Sequence, residues 1–196
     1  MTKKLKRVLE KTRGKKIGLF VDNANWFYPQ KELGWDVDFK KLVGFLKGNY
    51  EVRLLKLYAG TPLDLVQKRR FRSFVSAVEK FGFAVETKPL KKIWLDRERG
   101  EFIYKCNFDV EIAFDVARNI DDLDIAMIGS GDSDFLAVRD FAFENRKGFV
   151  ALCFEKGVAW EVRQGYHIFF EDIKSGVEEV KEEELKSPAR KRGVNN

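Results

Sequence analysis

The feature that most limits the fold of this sequence is a set of continuous apolar runs, each bounded by turn-forming residues. Three runs stand out, at residues 17–21, 123–128 and 149–154. Strands buried on both faces have this pattern, and they occur in parallel sheets that helices cover on both sides. The runs therefore predict a mostly parallel sheet enclosed between helices.

Weaker patterns of both kinds alternate with these runs along the chain. Further strands are predicted at residues 52–58, 83–87 and 167–170, and helices at residues 38–47, 62–82, 108–119, 133–145 and 158–164. Two short apolar segments flank a turn and predict a small antiparallel hairpin near residues 92–105. This alternation of strands and helices indicates an α/β architecture.

The charges of the chain are unevenly distributed. Lys and Arg number 37 against 31 Asp and Glu, a net charge of +6. Residues 1–16 hold eight basic residues and one acidic residue, whereas residues 17–173 hold 23 against 25. We therefore divide the chain into a basic amino-terminal arm (1–15), one folded domain (16–173) and a charged, flexible tail (174–196). The arm either improves solubility or contacts nucleic-acid phosphates.

Several classes of protein are excluded by what the sequence lacks. No apolar run reaches 18 residues and residues 1–16 have no signal-peptide pattern, so we expect no membrane segment and a cytoplasmic location. Two cysteines, Cys106 and Cys153, indicate a reducing compartment. Glycine-rich nucleotide loops and the G-x-S-x-G motif are absent. A single histidine, His167, excludes a two-histidine ribonuclease mechanism and is interpreted as a packed strand residue.

Acidic residues follow two of the predicted buried strands. Asp22 comes after the first strand, and Asp132 and Asp134 come after the strand at 123–128. Ligands of parallel α/β sheets bind at the carboxyl ends of the strands. Each of these residues alone could simply cap a helix. Their recurrence at two buried strands favours a functional site.

Asp109 is a third candidate. On the helix predicted at 108–119 it falls within the apolar arc, where an unpaired carboxylate is costly unless it binds a metal. Its place in the first turn offers a partial alternative explanation. Glu111 and Asp115 fall on the polar side of the same helix, so we expect them to face away from Asp109.

Converging carboxylates repel one another unless a cation lies between them. Oxygen ligands without a Cys or His cluster favour Mg²⁺ or Mn²⁺ over softer metals. Such an ion binds a substrate phosphate and activates a water molecule. The acids therefore predict a hard divalent metal and a phosphate-bearing substrate.

Three segments carry a resemblance to a known family. Residues 20–25 read Phe-Val-Asp-Asn-Ala-Asn, residues 109–115 read Asp-Val-Glu-Ile-Ala-Phe-Asp, and residues 130–135 read Ser-Gly-Asp-Ser-Asp-Phe. They resemble the motifs of the NYN domain, a branch of the PIN-like nuclease superfamily, and the third segment is the most specific. The resemblance spans about residues 16–172. It implies a three-layer sandwich and metal-dependent cleavage of RNA phosphodiesters.

The resemblance also implies roles for individual residues. The metal-binding acids would be Asp22, Asp109 and Asp132, with Asp134 completing the catalytic set. Supporting roles fall to Asn25, Ser130 and Ser133. The family favours an acid at the position of Asp115 as well, in conflict with the helical arithmetic. Two departures bear on substrate preference: Cys106-Asn107 where the family often has Lys-Gly, and Gly165-Tyr166 where it often has Ala-Asp.

Basic residues near the predicted site are candidates for holding RNA. They are Lys68, Arg69 and Arg72 on the helix at 62–82, and Lys91 and Lys92 beside Trp94 in the hairpin. Aromatic residues 26–28 are candidates for stacking on unpaired bases, although such a trio is more often core. The basic helix face has an ordinary solvated alternative, and the hairpin is equally consistent with the edge of a homodimer.

The sequence thus favours a metal-dependent ribonuclease. The alternative is a non-catalytic RNA-binding or adaptor module with the same fold. A phosphohydrolase of the haloacid-dehalogenase kind is disfavoured because it needs a second Asp two residues after the first, where this chain has Ala24.

Overall fold

The structure, a computed structural model, describes residues 2–180 and has a central six-stranded sheet with helices on both faces. The strands are β1 (Lys16–Asp22), β2 (Glu51–Thr61), β3 (Ala84–Pro89), β4 (Lys91–Asp96), β5 (Glu101–Lys105), β6 (Ile125–Gly129), β7 (Gly148–Cys153) and β8 (His167–Phe169). The helices are α1 (Lys3–Thr12), α2 (Asn23–Leu33), α3 (Phe39–Asn49), α4 (Leu65–Glu79), α5 (Asp109–Asn119), α6 (Leu136–Glu144), α7 (Trp160–Gln164) and α8 (Phe170–Val177).

The central sheet has the order β3-β2-β1-β6-β7-β8, and its neighbouring strands are all parallel. Strands β4 and β5 form a separate antiparallel hairpin. The predicted α/β fold with a parallel sheet and a small hairpin is therefore confirmed. Strand order reverses at β1, which lies between β2 and β6, so the crevice at the carboxyl ends of β1 and β6 is the expected ligand position.

Alternating side chains of the strands supply two separate cores. Leu19 and Val21 of β1 belong to the core on one face of the sheet, and Phe20 belongs to the core on the other. All three are fully buried, because helices cover both faces. This two-sided burial explains why β1 appears in the sequence as an unbroken apolar run.

The basic segment expected to be an arm forms helix α1. Leu5 and Val8 on this helix are 2% and 1% exposed and belong to the main core. These apolar residues, with Thr12, lie three or four positions apart and form a narrow apolar stripe on an otherwise charged helix. The basic residues therefore occupy a fixed surface beside β8.

The segment expected to be a tail begins inside the fold. Residues 174–177 belong to α8, and the carbonyl of the buried Val177 accepts a hydrogen bond from the amide of Asp38 at 2.8 Å. Residues 181–196 of the predicted tail lie outside the described residues. Within residues 2–180, no helix has the length and apolar composition needed to cross a membrane.

Candidate active site

Asp22 lies where β1 ends and α2 begins. One carboxylate oxygen accepts a hydrogen bond from the amide of Ala24 at 3.0 Å, so Asp22 does cap the helix. The other oxygen accepts from Nδ2 of Asn25 at 2.9 Å. Capping and a functional role are thus compatible here, and the Asn25 side chain contacts the Asp22 carboxylate.

The surroundings of Asp22 disfavour its charged form. Burial raises its pKa, and the hydrogen bonds from Asn25 and Ala24 oppose this shift. The negative charges of Asp109 and Asp132 raise the pKa further, and the net direction is upward. Asp109 and Asp132, from separate parts of the sequence, therefore lie close enough to Asp22 to repel its negative charge.

Asp132 lies in the loop after β6. Its amide donates to Oγ of the buried Ser130 at 3.1 Å, and its carboxylate accepts from the amide of Asp134 at 3.1 Å. The Asp132 and Asp134 side chains are exposed, and Ser133 is half-buried. Strand β6 ends at Gly129, where a Cβ atom would lie 2.8 Å from the Trp26 ring. A glycine is therefore required for β6 to end beside β1.

Asp109 begins α5 and is half-buried. Asn107 holds it from both sides: Nδ2 of Asn107 donates to the Asp109 carboxylate at 2.6 Å, and Oδ1 accepts from the Asp109 amide at 2.7 Å. The sequence analysis identifies Asn107 solely as a departure from the family pattern and does not predict this contact. An Asn two residues before an acid at a helix start commonly forms such local hydrogen bonds, and this spacing is visible in the sequence.

The three acids are neighbours without forming a finished metal site. Within residues 2–180, no group of three or more Asp, Glu, His or Cys side chains has the spacing to hold a metal ion. Each acid is instead engaged by its local partners. The donor atoms available around Asp22 are oxygens, which suit Mg²⁺ or Mn²⁺.

Asp115, expected on the polar side of α5 facing away from Asp109, is buried against β2. Asp115 is 6% exposed. Its carboxylate forms an ion pair with Nζ of Lys56 and accepts a hydrogen bond from the Tyr58 hydroxyl at 2.6 Å. Nη1 of Arg118 lies 3.4 Å from the same carboxylate. Burial would raise the pKa of Asp115, but the contacts with Lys56, Tyr58 and Arg118 outweigh it and lower the pKa. The polar face of α5 therefore packs over β2, and Asp115 is occupied by these partners.

The predicted RNA-contacting residues lie on two elements near the carboxyl edge of the sheet. Lys68, Arg69 and Arg72 are on α4, which follows the carboxyl end of β2; Arg69 and Arg72 are exposed and Lys68 is half-buried. Lys91 and Lys92 are exposed on β4, in the hairpin that connects β3 to the start of α5.

The hairpin has one aromatic face and one aliphatic face. Trp94 pairs with Phe102 across the strands, and Nζ of Lys92 lies 3.8 Å from the centre of each ring. Ile93 pairs with Ile103 on the opposite face. These four apolar residues are 41–43% exposed.

The aromatic residues after the first motif divide between core and surface. Trp26 is fully buried and donates its indole N–H to the Leu152 carbonyl at 3.1 Å. Phe27 and Tyr28 are 43% and 57% exposed. Tyr28 lines a cavity of about 240 Å³ together with Asn25, Gly131 and Lys156. The sequence does not predict that Lys156 lies beside Asn25, because Lys156 is outside the three motifs and distant from Asn25 along the chain.

The sequence model of the NYN domain family matches residues 16–171. The chain belongs to the NYN domain family. Among curated proteins, this NYN chain is 26% identical over 174 residues to the "low amplitude and bright protein LabA" of Synechococcus elongatus, and the match covers 88% of this chain and 92% of LabA. The fold of this chain is similar to that of a protein of unknown function from Vibrio parahaemolyticus, known from a crystal structure. That similarity has a TM-score of 0.66 at 22% identity and covers 82% of this chain and 95% of the other.

The family match confirms the resemblance drawn from the three motifs. NYN domains have a PIN-like, nuclease-type fold, and here the three motifs lie at the crevice between β1, β6 and the start of α5. The structural neighbour supports the fold alone.

Proposed function

We propose that this NYN domain is a metal-dependent ribonuclease that hydrolyses RNA phosphodiester bonds at Asp22, Asp109, Asp132 and Asp134. The observation that carries the proposal is the placement of the motifs: β1 and β6 are neighbours and end together, Asp22 and Asp132 follow those ends, and the charges of Asp109 and Asp132 both act on Asp22. Acids from three motifs that repel one another at the switch point of a parallel sheet form a site that needs a cation.

Asp22, Asp109 and Asp132 would hold Mg²⁺ or Mn²⁺. When bound, the ion would supply an activated water molecule and neutralise phosphate charge. Asn25 keeps one oxygen of Asp22 oriented, and Ser130 anchors the loop that carries Asp132. Asp134, one residue beyond Ser133, is exposed and would complete the catalytic set. Asn107 holds the Asp109 carboxylate by a hydrogen bond and so would orient it toward an ion.

RNA would reach this acidic crevice between two basic elements. Helix α4 contributes Lys68, Arg69 and Arg72, and the hairpin contributes Lys91 and Lys92. These positive charges offset the repulsion between phosphates and the acidic site. The aromatic face of the hairpin provides a surface on which unpaired bases can stack.

The direct test is a time course with end-labelled RNA in Mn²⁺ and in EDTA, using the wild type and Asp132→Asn. We expect cleavage by the wild type in Mn²⁺, none in EDTA, and a loss of more than about 100-fold in Asp132→Asn. A lost metal ligand should exceed the roughly 10–100-fold cost of removing an outer-shell partner.

Cleavage that persists in EDTA or in Asp132→Asn would contradict the mechanism. Asp121→Asn is a suitable control, because Asp121 lies in the 3₁₀ turn before β6, at the other edge of the sheet. Tight binding without cleavage across single-stranded, hairpin and duplex RNA would favour the alternative of a non-catalytic RNA-binding or adaptor module.

The hairpin supplies a second prediction. Trp94→Ala should raise KM for RNA about 5–100-fold and leave kcat nearly unchanged, because stacking of one base contributes about 1–3 kcal/mol to binding. Steady-state cleavage of a fluorogenic RNA measures both constants.

Ile103→Ala is the matched control for Trp94→Ala, since it removes a similarly exposed side chain from the aliphatic face of the same hairpin. Equal effects of the two substitutions would indicate loss of hairpin structure rather than of base stacking. Light scattering of both variants tests the homodimer alternative, because loss of a dimer in Ile103→Ala would assign the aliphatic face to a second copy.

A further inference from the structure

A basic groove lies at the amino edge of the sheet, opposite the acidic crevice. It has a volume of about 500 Å³, and its polar lining includes Lys11, Lys15, Asn145, Arg146, Lys147 and Tyr166. The amino ends of β6 and β7 form its floor. Since β1 has seven residues, the groove and the acids are separated by about 20 Å at roughly 3.3 Å per residue.

Positive charge dominates this groove. Four cationic residues line it against one carboxylate, Asp124, which already accepts a hydrogen bond from the Lys16 amide at 2.9 Å. Nζ of Lys147 donates to the carbonyls of Asp121 and Leu123 at 3.0 and 2.7 Å. Within residues 2–180, the side chains of Lys11, Lys15 and Arg146 have no hydrogen-bond or ion-pair partner, and all three are exposed.

The backbone at Arg146 is the least expected feature of the groove. Arg146 has a φ of 58°, and within residues 2–180 it is the one non-glycine residue in this left-handed region. It follows α6 in a Schellman turn, in which the Arg146 amide donates to Phe143 at 2.9 Å and the Lys147 amide donates to Ala142 at 2.8 Å. Glycine is the usual residue at this position because a Cβ atom is unfavourable there.

An arginine at a position that favours glycine lowers stability. In the observed turn, Arg146 lines the groove together with the two unpartnered lysines. Strained residues retained at such places are associated with binding sites. The left-handed backbone of Arg146 and the clustering of unpartnered cations are independent observations, and the positive charge of the cluster suits an anionic ligand.

The exposure of these cations favours a polyanion over a single small anion. Exposed ion pairs contribute little in water and are screened by salt. A polyanion gains affinity at each contacted phosphate by releasing condensed counterions. The volume of the groove is sufficient for a nucleotide unit, and Tyr166, 39% exposed, offers a ring at its wall.

We infer that this groove binds backbone phosphates of RNA as a second site, separate from the acidic crevice. The identity of the polyanion as RNA rests on the proposed function. The basic amino-terminal segment would then contribute to RNA binding through Lys11 of α1. RNA held here would be anchored at a distance from the bond that is cut.

The test is fluorescence anisotropy of a labelled RNA of about 20 nucleotides, in EDTA and between about 50 and 200 mM salt. The double variant Lys11→Gln/Lys15→Gln should bind about tenfold more weakly at 0.1 M salt, and its slope of log K against log salt should fall by about 1.4. Lys40→Gln/Lys80→Gln removes the same charge from positions outside the groove and should change affinity less than about twofold. Equal effects of the two double variants would overturn the inference.

Arg146→Gly separates binding from stability. It should raise the midpoint of thermal unfolding by about 2–4 °C, since it relieves the left-handed strain. It should also weaken RNA binding and lower the salt slope by about 0.7. Arg146→Lys, which keeps both the charge and the strain, should retain the wild-type slope. An Arg146→Gly variant that is more stable yet binds as the wild type does would overturn the inference.

The two proposals fail in distinguishable ways. If the wild type does not cleave RNA in Mn²⁺ but the groove variants lose binding, hydrolysis is refuted and the groove stands. If acid-dependent cleavage is found but the groove and control variants bind equally, the groove is refuted and hydrolysis stands. If the wild type neither cleaves RNA in Mn²⁺ nor binds it in EDTA, both are refuted.

Discussion

Asp22→Asn is expected to reduce RNA cleavage by more than about 100-fold and at the same time to stabilise the metal-free protein. Activity falls because a proposed metal ligand is lost, a larger change than removal of an outer-shell partner. Stability rises because a half-buried negative charge is removed from near Asp109 and Asp132. The new side chain can still accept the hydrogen bond from the Ala24 amide.

The pH dependence of stability gives this prediction a sign. The pKa of Asp22 is raised in the folded state, so folding favours the protonated carboxyl group. The contribution of Asp22 to stability is therefore complete below its unfolded pKa of about 3.9 and is lost as the pH rises through the folded pKa. Metal-free wild type should therefore lose part of its stability as the pH rises above about 4, and Asp22→Asn should lose less. Urea unfolding in EDTA across this range measures the difference.

Addition of Mn²⁺ should make the wild type more stable than Asp22→Asn, the reverse of their order in EDTA. Mn²⁺ that binds the folded state stabilises it by about 2.7 kcal/mol at 100 times the dissociation constant. We expect this increase for the wild type and little of it for Asp22→Asn. Asp38→Asn is a control, since Asp38 caps α3 through Lys41 and is remote from the three motifs along the chain. Equal Mn²⁺ stabilisation of Asp22→Asn and wild type would exclude Asp22 as a ligand.

The sheet and the position of the acids were predictable because both depend on local patterns. Strands β1, β6 and β7 are buried on both faces, so their apolar runs identify them without knowledge of their partners. Parallel strands then place residues at their carboxyl ends on one edge, which brings Asp22 and Asp132 together.

Other features depend on contacts between distant parts of the chain. Helix α1 buries a narrow stripe within a segment whose composition is dominated by charge, so the charge count concealed it. Asp115 is buried because Lys56 and Tyr58 of β2 lie beneath α5, 59 and 57 residues away in sequence. A helical projection assigns Asp115 to a polar face but cannot show that a sheet edge rather than solvent meets that face.

This buried ion pair leads to the largest stability effect that we predict. Asp115→Ala leaves the Lys56 ammonium and the Tyr58 hydroxyl without their main partner. Removing one member of a fully buried pair costs about 3–5 kcal/mol. Here the Lys56 side chain is 19% exposed and Glu86 lies 3.8 Å from its Nζ, so we expect a smaller loss of about 2–4 kcal/mol in unfolding free energy.

Glu111→Ala is the matched control, because Glu111 lies one turn earlier on α5 and pairs with Lys88 of β3. Both side chains of that pair are 30–39% exposed, and its loss should cost less than about 1 kcal/mol. Urea unfolding followed by circular dichroism at pH 7 gives both values. Equal losses would mean that burial of Asp115 adds nothing to the strength of its ion pair.

Acid should remove the difference between wild type and Asp115→Ala. The pKa of Asp115 is lowered in the folded state, so its contribution to stability is present above its unfolded pKa and is lost as the pH falls through the folded value. The two urea midpoints should therefore converge below about pH 5.

Asp115→Asn, assayed well below its unfolding temperature, should keep Mn²⁺-dependent cleavage within about tenfold of wild type, since Asp115 is occupied by Lys56 and Tyr58. A loss of activity as large as that of Asp22→Asn, without a loss of stability, would instead place Asp115 among the catalytic acids.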